Sequence, residues 1–362
     1  MVDKSITYHV IGGGISGLSC AWFLKKNKNI KVVVYEGKNI LGGRAFSYDD
    51  DKFKCKLDNA IHTIISANKF MSSFIKKDEW EHTKYFVDSE YATVDTSLFK
   101  NKDILYKAFC NTSADEIAKS IKNNILRMLF PYTKSKRKVW FSKQDISQRI
   151  INVLSSKSDE IKLNSVLKNI KTKEGKVTSL DFGEYEVELN ENDKVILALD
   201  NHDCSKFVSV NRLEYSQIVN ITYFTSQTIF LPKGASFVAQ KNGLADFVFV
   251  NNGTITAVIS DYNGKIKNED LAIKIWKEID ALRGVDSAFM PEYKISHYSK
   301  ATIRQDEKNN LLRPQDASTE YSNLYIAGDW TMKDYPCCME IAVQSAKRAV
   351  KTSFKQTNKV RN

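Results

Sequence analysis

Tyr8-His9-Val10-Ile11-Gly12-Gly13-Gly14-Ile15-Ser16-Gly17-Leu18 sets glycines at 12, 14 and 17, directly after an apolar run and directly before a helical pattern. Each glycine meets a different need of a strand-to-helix turn that cradles phosphate. Gly12 permits the tight turn, Gly14 lets the backbone approach a pyrophosphate, and Gly17 lets the helix pack close to the strand. Ile15 and Ser16 open that helix, whose unpaired N–H groups and positive dipole end face the anion. A glycine-rich turn alone is a weak signal, but its neighbours strengthen it. Leu18, Ala21, Trp22 and Leu24 recur at helical spacing with Lys25 and Lys26 at the close, and the β-branched run from Ile30 to Tyr35 ends in Glu36. Glu36 lies nineteen residues beyond Gly17, where a carboxylate accepts both hydroxyls of an adenosine ribose and repels a 2′-phosphate. The stretch therefore predicts a dinucleotide-binding βαβ unit and disfavours NADP.

At 362 residues the chain can bury a sizeable core, and a prior of about 150 residues per domain gives two domains. The net charge is +11 and the pI near 9.1, but lysines and asparagines run along the whole chain rather than in one block. Two readings stay open: a compositional bias, or a basic face that visits anionic membranes. No RNA- or DNA-binding motif is present, so nucleic acid is not an expected partner. Charges interrupt every apolar run short of the roughly 18 residues a membrane span needs. Met1 to Thr7 holds Asp3 and Lys4 and does not read as a signal peptide. A cytoplasmic protein is expected, with peripheral contact at the inner face of a membrane as a further option. Six cysteines, at 20, 55, 110, 204, 337 and 338, show no metal-ligand spacing, so no metal is expected.

After Glu36 comes Gly37-Lys38-Asn39-Ile40-Leu41-Gly42-Gly43-Arg44. Gly42 and Gly43 expose backbone N–H groups, and Arg44 can fork onto a phosphate. Near the C-terminus, Asn323 to Ala327 reads as a buried strand ending in Gly328-Asp329, followed by Pro336-Cys337-Cys338-Met339-Glu340-Ile341-Ala342 and a helix from about Met339 to Val350. Asp329 falls at the carboxyl end of a strand, where open α/β sheets bind their ligands. Together these pieces resemble the flavin amine oxidase superfamily, which includes amine oxidases, carotenoid desaturases, protoporphyrinogen oxidases and hydroxysqualene dehydroxylases.

The resemblance implies FAD as cofactor, held by the Gly12–Gly17 loop, Glu36 and Gly42-Gly43-Arg44. It also implies that Gly328 and Asp329 meet the ribityl and phosphate region, while Met339 and Glu340 begin the helix facing the flavin pyrimidine edge. The short β runs between Ile161 and Leu199 resemble a β-meander and returning core strand, with Val166 at the position whose backbone meets adenine. No second GxGxxG occurs, which disfavours reductases carrying two dinucleotide units. Ile341 stands where relatives usually have glycine, and would narrow the approach to the flavin ring. Leu57-Asp58-Asn59-Ala60-Ile61-His62 and Lys300-Ala301-Thr302 before Arg313-Pro314 resemble the hydroxysqualene dehydroxylase-like group, with Ala60 replacing a usual glycine.

The expected fold is α/β. A Rossmann-like FAD-binding domain with a parallel sheet and β-meander takes residues 1–66, 151–205 and 301–362. A discontinuous α+β substrate domain takes 67–150 and 206–300. In the latter, Asp115 to Phe130 is periodic at helix spacing, Lys134 to Lys138 clusters charge, strands are expected over Ile218–Tyr223, Thr228–Leu231, Phe247–Val250 and Thr254–Ser260, and a helix over Glu269–Arg283. The economical arrangement is a mixed sheet with helices on one side. Tyr223, Phe224, Phe230, Phe247 and Phe249 either line a pocket for an apolar polyene or form plain core. His62 is the candidate catalytic residue: it donates a proton near the flavin, or it is a core histidine orienting Asp58. Cys337 and Cys338 are small packing residues or a redox pair.

The expected activity is hydride transfer between flavin N5 and an apolar isoprenoid-like small molecule, a squalenoid or carotenoid precursor. Amine oxidation is the alternative, and a non-catalytic flavin-binding relative a further one.

Overall fold

The computed structural model describes residues 6–60, 62–65, 68–74, 80–82, 85–88, 93–94, 101–131, 139–142, 147–225, 229, 231–251 and 253–359. Five strands form a wholly parallel sheet in the order Glu160–Lys162, Ile30–Tyr35, Ile6–Ile11, Lys194–Leu197, Leu324–Ile326. Parallel strands buried on both faces read as apolar runs, and here alternate side chains divide between two layers. Tyr8, Val10, Val32, Val34 and Ile196 share a core with helix Ile15–Leu24 and the C-terminal helix Met339–Lys359. Ile11, Val33, Tyr35, Val195 and Leu197 share another with Leu180 and Phe182. These last two belong to an antiparallel meander of Asn169–Lys173, Lys176–Asp181 and Glu186–Glu188, from which the chain returns to the sheet through Lys194–Leu197.

A seven-stranded mixed sheet carries the rest, in the order Tyr293–Ile303, Tyr215–Phe224, Thr254–Ser260, Phe247–Asn251, Phe237–Gln240, Tyr85–Asp88, Thr93–Val94. Its neighbours are antiparallel except Phe237–Gln240 against Tyr85–Asp88. Helices cover both faces, not one as expected from the sequence. Val219, Ile221 and Tyr223 pack with Leu271, Ile275 and Ile279 of helix Asn268–Arg283. On the other face Phe237, Phe247, Phe249 and Val258 pack with helices Lys102–Cys110 and Lys119–Leu129. Both faces of these strands are apolar, so both need a cover.

The helix expected from Asp115 to Phe130 is broken. A 3-10 turn spans Ala114–Glu116, Ile117 and Ala118 are extended, and the helix starts at Lys119 because the Ala118 N–H turns away to Gln305 O at 2.9 Å. The C-terminal helix runs past Val350 to Lys359, there being no glycine or proline after Pro336 to stop it. The Lys134–Lys138 cluster and Phe230 lie outside the described residues, and positions 229 and 231 of the expected Thr228–Leu231 strand are not in a strand.

Candidate functional site

The three fingerprint glycines have separable local causes. Gly12 adopts φ +110°, and a Cβ there would stand 2.6 Å from Ala198 O. A Cβ on Gly17 would fall 1.8 Å from Gly12 O, so loop and helix meet backbone to backbone. Gly14 differs: at φ −77° and ψ 179° it is ordinarily extended, and a Cβ would meet nothing nearer than Gly43 Cα at 3.6 Å. No neighbour within the protein demands glycine at 14; its bare backbone lies against the Gly42-Gly43 turn at ordinary contact distance. Glu36 is buried, with Oε2 accepting from Gly13 N at 2.7 Å and Oε1 from Lys38 N at 2.9 Å. Each oxygen still has lone-pair capacity for a further donor.

Gly42 and Gly43, at φ +115° and +64°, fold the next turn onto this loop, and Gly42 N donates to Gly13 O at 2.9 Å. Arg44 gives Nη2 to Asp329 Oδ1 at 2.6 Å and Nη1 to Ala301 O at 2.9 Å. Asp329 is 4% exposed and also accepts from Trp330 N at 2.9 Å. Such a buried carboxylate needs a cation nearby. Gly328 N donates to Ser345 Oγ at 2.9 Å, and Ser345 Oγ lies 3.2 Å from Ser16 Oγ. Ser345 thus ties glycine loop, Gly-Asp strand and C-terminal helix together. Nothing in the sequence marks that serine. Asn59 is a second residue given no role from the sequence: it accepts from Phe46 N and donates to Arg44 O, both at 2.9 Å, pinning the arginine turn. Its place inside the Asp58-Asn59 motif was the available signal. Ser165 N bonds Glu36 O at 2.8 Å, which brings Val166 beside Gly37, and Leu163 and Val166 remain 41% and 45% exposed.

A cavity of about 570 Å³ opens between the Arg44 turn, the seven-stranded sheet and the start of the C-terminal helix. Leu105 and Phe109 wall one side, and Ile218, Phe247, Phe249 and Val258 form the floor. Arg44, His62, Lys300, Met339 and Glu340 gather at its polar side. Burial holds the His62 imidazole below its usual range although the Asp58 carboxylate pulls the other way, so the ring is neutral at pH 7. Its Nδ1 is buried without a hydrogen-bond partner. Among the described residues Glu340 is the one carboxylate in the wall, and it is engaged: Phe70 N and Met71 N donate to it at 3.0 and 2.9 Å, and Gln344 Nε2 at 3.1 Å.

Cys337 and Cys338 also line the cavity, and burial pushes both thiols up to about 12. They are free and protonated, and they serve as small packing residues. Ile341, expected to narrow the approach to a ring, is fully buried and is not part of the cavity wall. No group of side chains among the described residues is arranged to hold a metal. None of the described helices is long and apolar enough to cross a membrane.

A glycine-loop βαβ unit beside a cavity walled by a mixed sheet defines a Rossmann-like flavoenzyme. Residues 126–352 match the flavin containing amine oxidoreductases and residues 10–77 the NAD(P)-binding Rossmann-like domain; the chain belongs to the flavin containing amine oxidoreductase family. It is an oxidoreductase of that superfamily, using a flavin and acting on a small molecule. Among known proteins it is similar to the hydroxysqualene dehydroxylase of Zymomonas mobilis, with 24% identity over 94% of this chain and 97% of that one. It is likewise similar to the hydroxysqualene dehydroxylase of Sinorhizobium fredii, with 23% identity over 97% and 99%. The crystal structure of an oxidoreductase from Methanosarcina mazei shares the fold, with a TM-score of 0.71 at 15% identity over 97% of this chain and 100% of that one.

Proposed function

We propose that this protein is an FAD-dependent oxidoreductase acting on an apolar, isoprenoid-like substrate of squalenoid or carotenoid-precursor type. The observation that carries the reading is the cavity's chemistry: an aromatic and aliphatic floor, with Arg44 and Lys300 already paired to Asp329 and Asp200, and among its described residues no carboxylate free to hold an ammonium. That combination suits a hydrocarbon and offers a protonated amine no counter-charge, which sets amine oxidation second. The names of the curated relatives point the same way.

For the cofactor, Gly14 and the Gly42-Gly43 turn beside it bring two side-chain-free backbones together where a pyrophosphate would lie, Glu36 keeps lone pairs for a ribose, and the exposed apolar pair Leu163 and Val166 makes a cradle for adenine. Gly12, Gly17, Gly42 and Gly43 shape that bed, and Ile15 and Ser16 present the helix start. Arg44, Gly328 and Asp329 would hold the phosphate and ribityl region, with Met339 and Glu340 toward the pyrimidine edge. A flavin held there would supply two-electron, hydride-transfer chemistry at N5. The protein's share is to exclude water with its apolar floor and to orient the chain. His62, neutral and unpaired at Nδ1, is the candidate for moving a proton to or from substrate. We divide the chain at 66/67, 150/151, 205/206 and 300/301 into FAD and substrate domains, and place the protein in the cytoplasm, its +11 charge favouring peripheral contact with an anionic inner leaflet.

Two measurements test this. Isoprenoid extracts of cells with and without the protein, compared by mass spectrometry, are expected to differ in a squalenoid or carotenoid precursor. Unchanged profiles, or reduction of the purified protein's flavin by simple amines, would sink the proposal.

A further inference from the structure

Strand Tyr215–Phe224 turns alternate residues toward the cavity, and Ile218 and Asn220 both line it. Asn220 pairs with Val258, and Val258 with Phe247, so one row across the cavity floor reads Asn, Val, Phe. Pattern alone would put an apolar residue at 220. The asparagine is 5% exposed, its Nδ2 donates to Asn59 O at 3.2 Å, and its Oδ1 is buried with no partner. The amide cannot simply be turned over, since that would set Oδ1 against the Asn59 carbonyl, acceptor against acceptor. Asn59 in turn is clamped to Arg44 O and Phe46 N, which fixes the asparagine at the seam between the arginine turn and the apolar floor. A buried acceptor left unmade is costly, and the residue that carries it lines the cavity.

We propose that Asn220 is a specificity-determining residue of this cavity: its Oδ1 accepts a hydrogen bond from a hydroxyl on an otherwise apolar chain, selecting an isoprenoid alcohol over the hydrocarbon of equal length. An ammonium could also donate, but the lining carboxylate Glu340 is engaged by Phe70 N, Met71 N and Gln344 Nε2, which leaves a buried ammonium without a counter-charge. The assignment rests on the apolar-substrate reading above and adds to it the residue that reads the substrate's polar atom.

The test is a titration of the flavin-loaded protein with hydroxysqualene and, separately, with squalene, each followed by the perturbation of the flavin absorption spectrum. The wild type is expected to bind the alcohol about tenfold or more tighter, the usual worth of one buried hydrogen bond made or missed. Asn220→Leu, of similar volume and without the acceptor, is expected to bring the two constants together, mainly by tightening the hydrocarbon. Equal wild-type affinity for both molecules overturns the assignment of Asn220 and leaves the apolar reading intact. Binding of neither overturns the apolar reading, and the assignment with it. Should Asn220→Leu lower flavin content while the alcohol preference persists, the lone pair belongs to the cofactor and the assignment is wrong. If the leucine variant does not fold, Asn220→Ala takes its place, and an alcohol preference that persists in it overturns the assignment.

Discussion

The Gly12–Gly17 loop and the floor of the cavity stand on neighbouring sheets, yet the loop is shaped by backbone and the floor by side chains. In the loop, φ +110° at Gly12 and the 1.8 Å approach at Gly17 leave no choice of residue. On the floor, Ile218, Phe247, Phe249 and Val258 answer only to alternation and volume, and apolar residues of similar size can replace one another there at modest cost. A site defined by main-chain geometry therefore constrains the sequence position by position. A site defined by a packed surface constrains it as a pattern. The glycine loop is of the first kind and the cavity floor of the second.

Substitutions that separate folding from binding test that contrast, beginning where the effect is largest. Gly17→Ala places a methyl 1.8 Å from Gly12 O, and since backbone must move, a loss of about 3 kcal/mol or more in stability is expected, read by thermal unfolding without added cofactor. Gly14→Ala meets only a 3.6 Å contact in an allowed conformation. Its cofactor-free stability should stay within about 0.5 kcal/mol of wild type, while FAD affinity falls about tenfold or more because the methyl holds a pyrophosphate off the loop backbone. Equal destabilisation by both substitutions would erase the distinction between a structural and a ligand-facing glycine. Glu36→Gln comes next. It keeps one acceptor oxygen for the loop but swaps a charged acceptor for a neutral one, and about a tenfold weaker FAD affinity is expected in equilibrium titration. An unchanged affinity would remove Glu36 from the ribose site.

The same contrast explains what could be read in advance. Gly12, Gly14, Gly17, Glu36 and the Gly42-Gly43-Arg44 turn are local in sequence and rule-bound in conformation, so the parallel sheet and the cofactor bed were legible. Ser345 and Ser16 meet across 329 residues, and Asn220 and Asn59 across 161. Neither pair has a periodicity or a spacing to announce it, because tertiary packing alone brings them together. The break at Ile117–Ala118 was hidden for the same reason: the helical period runs through it, and only a carbonyl from Gln305 diverts the chain. Helices on both faces of the mixed sheet follow from strict alternation, which divides Val219, Ile221 and Tyr223 from Ile218 and Asn220 and gives each face its own layer to cover.

The smallest effect belongs to His62, where the two kinds of site meet. Burial lowers its folded-state pKa below the unfolded value of about 6.5, so between those two values the unfolded chain holds the extra proton. Stability then falls as pH drops through that window and is unaffected by His62 above it. One proton is involved, which limits the slope to about 1.4 kcal/mol per pH unit. His62→Gln removes the titration and keeps a polar side chain, so its unfolding midpoint should decline less than wild type between pH 7 and acid conditions, while matching it near neutrality. The Asp58 carboxylate is the largest influence opposing burial, beside backbone hydrogen bonds at Arg44 and Ala60, and an Asp58→Asn substitution should lower the histidine's pKa further and extend the decline to lower pH. If the two histidine forms lose stability in parallel, the ring is not buried against its charge, and the cavity's polar side is wetter than its apolar floor requires.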